Sequence, residues 1–208
     1  METIYQLDRD LIVIDVETTG TTQASSVIQL GAVIYTRKGE LLEHTFNAYI
    51  KPYREEWTSK AEKCHGISKD FLDKKGLEVE KALKMFDDWY CVNKKKAKDY
   101  YIAQWSASFD SNRLEEAYMY SNIVYPFTYR TFDIASFVRL YLASSGRLKK
   151  NKVSLADCCE AFHVPIDRDK CHDALYDATL TAKLLKSLTD EIASNVVVKS
   201  YSQSFQSQ

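Results

Sequence analysis

The segment Leu11 to Gly20, LIVIDVETTG, constrains the fold more than any other. Leu11 to Ile14 is a continuous run of leucine and β-branched residues, a pattern that suits a strand covered by helices on both faces of its sheet. Asp15 and Glu17 follow at once, then Thr18, Thr19 and Gly20, which signal a turn. If the strand extends that far, residues two apart project from one face and the two carboxylates can reach one point. Such a pair repels, and one member takes up a proton unless a cation intervenes. Mg2+ or Mn2+ resolves the conflict, because hard divalent ions prefer oxygen ligands. The same residues also fit a strand merely emerging into solvent, so further acids must converge on the point before chemistry follows.

The rest of the chain supplies a frame. Val27 to Tyr35 and Leu41 to Ile50 read as two more strands, joined by the turn-forming Arg37-Lys38-Gly39-Glu40 into an antiparallel meander. Trp57 to Phe71 holds short helical turns, one of them capped by Ser68. Apolar residues at 79, 82, 83, 86, 89 and 90 predict an amphipathic helix over Leu77 to Val92. Tyr100 to Trp105 is a further buried strand. Helices are predicted at Phe109 to Tyr120, Ile134 to Leu142, Leu155 to Phe162 and Ala174 to Leu188, the third opened by a Ser154/Asp157 capping box and closed by Pro165. Three strands, a helix, a strand and then helices describe an α/β layer in one domain over 1–193, followed by a polar, flexible tail over 194–208.

Basic and acidic residues nearly cancel, 28 against 29, so a polyanionic partner must be held by a local patch or through metal ions. No apolar run approaches the roughly 20 residues that span a bilayer, and the first ten residues lack a signal peptide's pattern, so a cytoplasmic protein with no membrane partner is expected. The five cysteines include no CxxC pair and read as reduced thiols rather than a zinc site.

Two further acids stand where such a site needs them. Asp110 falls at the start of a helix that follows a strand, the edge at which α/β folds place their sites, although an acid in the first turn also suits the helix dipole. Asp177 lies at the margin of the stripe Ala174, Ala178, Thr181, Leu185 and Leu188, as a ligand or as a solvated surface acid. His172 would sit roughly 140° from Asp177 on a common helix. Both can serve one site only if Asp173 is the N-cap and His172 precedes the helix. A histidine at the lip of an acid-rich site is suited to accepting a proton from water.

With these residues together, the sequence resembles the DEDDh, or DnaQ-like, 3'-5' exonucleases of the RNase H-like superfamily. IDVETTG matches the first motif, ASFD the second and HDALYDA the third; HGIS and TFDIASFVRL resemble supporting segments, over roughly Leu11 to Leu188. The resemblance implies an RNase H-like mixed central sheet flanked by helices and two divalent ions, Mg2+ or Mn2+. It also implies metal ligation by Asp15, Glu17, Asp110 and Asp177, with His172 as general base. Thr18, Thr19, Gly20, Ser106 and Phe109 would contact the terminal nucleotide. One departure is that Trp105-Ser106-Ala107-Ser108-Phe109-Asp110 places Ser106 where the family often has asparagine.

The activity implied is release of nucleoside 5'-monophosphates from the 3' end of single-stranded DNA, with RNA the alternative and protein partners left open. Arg147, Lys149, Lys150 and Lys152 form a basic loop that would either grip the backbone or serve as a solvated connector. Trp57 and Trp105 are candidates for base stacking or for ordinary packing. A non-catalytic nucleic-acid-binding protein on this fold would be expected to have lost a ligand, and all five positions carry suitable residues.

Overall fold

The structure is a computed structural model that describes residues 7–91, 95–105, 108–148 and 153–205, with backbone alone over 196–205. A five-stranded sheet of order β3-β2-β1-β4-β5 is built from β1 (Asp10–Thr18), β2 (Val27–Tyr35), β3 (Leu41–Tyr49), β4 (Tyr100–Gln104) and β5 (Thr131–Asp133). β1 to β3 form the expected antiparallel meander, and β4 and β5 run parallel to β1. At the β2–β3 turn Gly39 takes φ 83°, a left-handed conformation that glycine adopts without steric cost.

Alternation along β1 divides the core in two. Ile12, Ile14 and Val16 pack with Leu30, Ala32 and Ile34 of β2 under α3 (Val79–Tyr90) and α4 (Phe109–Tyr120). Leu11 and Val13 pack with Val33 and Tyr35 on the opposite face, under α5 (Ile134–Ser144), α6 (Leu155–Ala161) and α7 (Ala174–Phe205). Asp15 and Glu17 continue this second, odd-numbered set, so the pleat turns them toward α7.

The short helices α1 (Ser59–His65) and α2 (Lys69–Lys75) give the HGIS motif a structural role. Gly66 caps α1 at φ 69°, His65 Nδ1 accepts the Ile67 N–H at 2.9 Å, and Ser68 Oγ accepts the Phe71 N–H at 3.2 Å to open α2. All six apolar positions predicted for α3 are buried.

Four local expectations change. β1 runs on through Thr18, beyond the apolar run ending at Ile14, because β2 pairs with it as far as Thr18. β5 was not anticipated, since three residues are too few for a periodic signal; its Asp133 also caps α5, accepting from Ser136 N at 3.2 Å. α6 stops before Pro165, at a left-handed His163 (φ 56°), whose neighbour Val164 donates to Cys159 O at 2.8 Å. α7 continues to Phe205, beyond the Leu188 limit expected for this helix, as no glycine or proline interrupts the chain from Ala174 to Gln208. Among the described residues no helix is long and apolar enough to cross a membrane.

Candidate active site

The site forms at the carboxyl end of β1. Register places Asp15 beside Gly31 and Glu17 beside Gln29 on β2. On the other side β4 pairs with β1 only as far as Val13, leaving the remainder of that edge unpaired by strand. Asp110, in the first turn of α4, fills the gap: its Oδ1 accepts the Val16 N–H at 3.1 Å. The helix start is fixed in turn by the buried Gln104, whose Oε1 accepts from Ser111 N at 2.8 Å and whose Nε2 donates to Ser111 Oγ at 3.0 Å.

The third contribution arrives from α7. Asp173 is its N-cap, accepting the Tyr176 N–H at 2.9 Å, so His172 precedes the helix. His172 is exposed and takes φ 68°, a left-handed conformation uncommon for a residue with a side chain, and its N–H donates to Asp177 Oδ2 at 2.9 Å. That bond clamps histidine and carboxylate into one unit although five residues separate them.

Asp15, Glu17, Phe109, Asp110, His172 and Asp177 line one open pocket of about 250 Å3, with Val16 and Trp105 completing its wall. Within it, ligand atoms of Glu17, His172 and Asp177 lie within 4.8 Å of one another, Asp15 shares the pocket, and Asp110 is buried. The residues expected to contact the terminal nucleotide divide differently. The Thr18 hydroxyl donates to Gly20 O at 2.6 Å, Thr19 Oγ1 accepts from Ser26 N at 2.8 Å, and Thr19 N donates to Ser26 O at 3.0 Å. Both threonines are buried, so these groups build the turn, which Arg113 of α4 ties down through Thr22 O at 2.7 Å. A Cβ at Gly20 would meet the Glu56 side chain. Ser106 lies outside the described residues.

The other nucleic-acid candidates have internal partners. Arg147 pairs with Glu191, donates to Ala161 O at 2.9 Å and lies over Phe162; Lys149, Lys150 and Lys152 are outside the described residues. Trp57 donates to Glu62 at 2.9 Å and carries Lys69 over its ring. All five cysteines are free.

Packing four acids so closely raises every one of their pKa values. Burial, then the charges of Asp110, Glu17 and Asp177, holds the Asp15 carboxyl well above the usual carboxylate range. Burial foremost, with Asp177 and Asp110 next, pushes Glu17 up to about 8. Burial takes Asp110 to about 7 against the opposing bond from Val16 N, and raises Asp177 against the His172 N–H. Oxygen donors this crowded fit divalent cations, which would take the place of the protons.

A pH dependence follows for the chelated protein. Glu17 keeps a proton in the fold that the unfolded chain gives up near 4.5, so its contribution to stability is full below that pH and is lost as pH rises through about 8. Glu17→Gln removes the penalty. In EDTA its melting temperature should exceed wild type by little at pH 5 and by about 5 °C at pH 8. A gap that does not widen with pH would mean that Glu17 ionises freely in the fold.

A mixed sheet whose central strand, flanking α4 and long α7 deliver acids to one pocket defines an RNase H-like fold with the DEDDh arrangement of 3'-5' exonucleases. The chain belongs to the exonuclease (RNase_T) family, whose model matches residues 12–185.

It is 27% identical over 190 residues to the 3'-5' DNA exonuclease Cap18 of Escherichia coli, covering 88% of this chain and 96% of that one. It is likewise 27% identical over 179 residues to a PolC-type DNA polymerase III of Mycoplasmopsis pulmonis, covering 86% of this chain but only 11% of the polymerase. The nuclease domain of 3'hExo, a DEDDh family member solved bound to rAMP, superposes with a TM-score of 0.70 at 19% identity, over 92% of this chain and 95% of that one.

Of the residues that build the site, sequence reasoning missed Gln29, Gly31 and Gln104. The signal for Gln29 was a single amide inside an otherwise apolar strand, which demands buried partners.

Proposed function

We propose that the protein hydrolyses the terminal phosphodiester bond at the 3' end of single-stranded DNA, releasing nucleoside 5'-monophosphates one at a time. The observation that carries this reading is the meeting of Asp15, Glu17, Asp110, His172 and Asp177 in one pocket of an exonuclease-family chain. DNA is favoured because Cap18, named a DNA exonuclease, is the relative matched along nearly its whole length.

Asp15, Glu17, Asp110 and Asp177 would hold two divalent cations, Mg2+ or Mn2+. When bound, such ions lower the pKa of water and offset charge on the phosphate. The chain's own groups do the rest. His172, exposed at the rim, receives the proton of the attacking water on an imidazole nitrogen, and Asp177 holds its backbone in place for that. The water oxygen bonds to phosphorus as the bond to the departing 3' oxygen breaks. Asp110, tied to Val16 N, keeps α4 and β1 in fixed relation, and Phe109 and Trp105 offer apolar walls to the terminal nucleotide.

The test is digestion of matched 5'-labelled single-stranded DNA and RNA with Mg2+ or Mn2+, beside an EDTA control. The expected result is a ladder shortening from the 3' end of DNA, absent in EDTA. A ladder on RNA alone would move the substrate to RNA, and no cleavage of either strand would overturn the nuclease reading.

A further inference from the structure

All nine residues of β2 are buried, and Gln29, at 0% exposure, carries the strand's one amide side chain. A buried amide must bond, and the partners of this one are specific. Its Nε2 donates to Asp173 Oδ2 at 2.8 Å and to Asn47 Oδ1 at 3.1 Å, and its Oε1 accepts the Ala174 N–H at 3.2 Å. Asp173 is the cap of α7, directly follows His172 and is one turn before Asp177. Across the sheet Gln29 pairs in register with Glu17.

Other directional contacts of α7, Tyr35 Oη with Thr189 Oγ1 at 3.0 Å and Glu191 with Tyr141 and Arg147, lie far along the helix from its first turn, and the contact between is apolar. Leu180, Ala182, Leu184, Leu185 and Leu188 lie in the apolar cluster, and burial of this kind is non-directional. At Gly31 the strand offers bare backbone to Ala174 and Leu175, a smooth surface along which a helix can slide. Hydrogen bonds to a fixed amide are directional.

We infer that Gln29 is a positioning residue: it bolts the start of α7 to β2 and thereby sets the spacing of His172 and Asp177 from Glu17. Gln29 does not line the pocket and touches no substrate; it acts through Asp173. The inference rests on the nuclease reading for its kinetic consequence, but not for the bolt itself.

The experiment exploits the donor and acceptor polarity of the pair. Gln29→Glu sets a carboxylate against Asp173, whereas Gln29→Glu with Asp173→Asn restores a donor facing an acceptor and keeps an oxygen for the Tyr176 N–H. Rate on a 3' end and amide hydrogen exchange over Ala174 to Asp177 are read for both proteins and wild type.

Gln29→Glu should lower kcat by about 30-fold with KM changed less than about 3-fold, as loss of an orienting partner does. Exchange in the first turn of α7 should accelerate in step. The double variant should recover kcat to within about 5-fold of wild type, and the slow exchange with it. A general loss of stability would not be repaired by this second substitution.

Unchanged kcat and exchange in Gln29→Glu, or a double variant no better than the single, would overturn the inference. Should the single variant not fold, folding and recovered exchange in the double variant support the bolt, and their absence counts against it. A wild type that cleaves nothing refutes the nuclease reading instead, and the exchange comparison still decides the bolt.

Discussion

Asp15→Asn is expected to abolish nuclease activity while making the metal-free protein more stable. Asp15 stands among the other three acids, and Asp110, Glu17 and Asp177 all act on it. As an oxygen donor of the proposed cation site, it cannot be replaced by a neutral amide that draws a divalent ion weakly. The loss should reach at least about 10³-fold, beyond the roughly 10–100-fold typical of groups one step removed from a metal. The same substitution deletes a half-buried carboxylate that the fold holds against desolvation and repulsion. With EDTA present at neutral pH, the melting temperature should rise by roughly 3–6 °C, the shift expected for about 1–2 kcal/mol in a chain of this size. Kinetics and calorimetry on one preparation suffice. A variant that is both inactive and less stable in EDTA would show that Asp15 stabilises the fold, contrary to the strain assigned to it.

Gly31→Val should be the most damaging substitution outside the acids. A Cβ at Gly31 would overlap the carbonyl carbon of Ala174 and the amide nitrogen of Leu175, both main-chain atoms that no rotamer change can move aside. Relief requires α7 to lift from β2, which opens the apolar layer beneath Leu184 and Leu188. Destabilisation on the order of 4 kcal/mol is expected, at the exceptional end for one substitution, read as a lowered urea midpoint. Any folded fraction should cleave poorly, because the lifted helix carries His172 and Asp177 away from Asp15 and Glu17. An unchanged midpoint would mean that helix and strand tolerate a wider separation than their close backbone contact implies.

These two positions show how unevenly the sequence discloses its structure. Asp15 was readable because strand period, charge and a following turn are local signals, and Asp173 and His172 were placed by capping chemistry alone. The limits of β2 and α4 coincide with their apolar patterns. Gly31 sits inside an apolar run and gave no sign of the helix that lies on it, since that helix begins far along the chain. Gln29 likewise draws its meaning from Asp173 and Ala174. That the Thr18 and Thr19 hydroxyls are bonded within the turn was not legible, because a motif match says nothing about local partners. The three residues of β5 carry too little pattern to announce a strand.

The docking of α7 on Gly31 also governs when the chain can first act on nucleic acid. Asp15, Glu17 and Asp110 are translated before His172 and Asp177. The latter two reach the other acids only once the last helix has settled on the sheet. A nascent chain, or one cut short before Ala174, therefore holds three of the acids and only part of the proposed site. On the proposed reading, the chemistry is withheld until α7 has been made and has docked on the sheet.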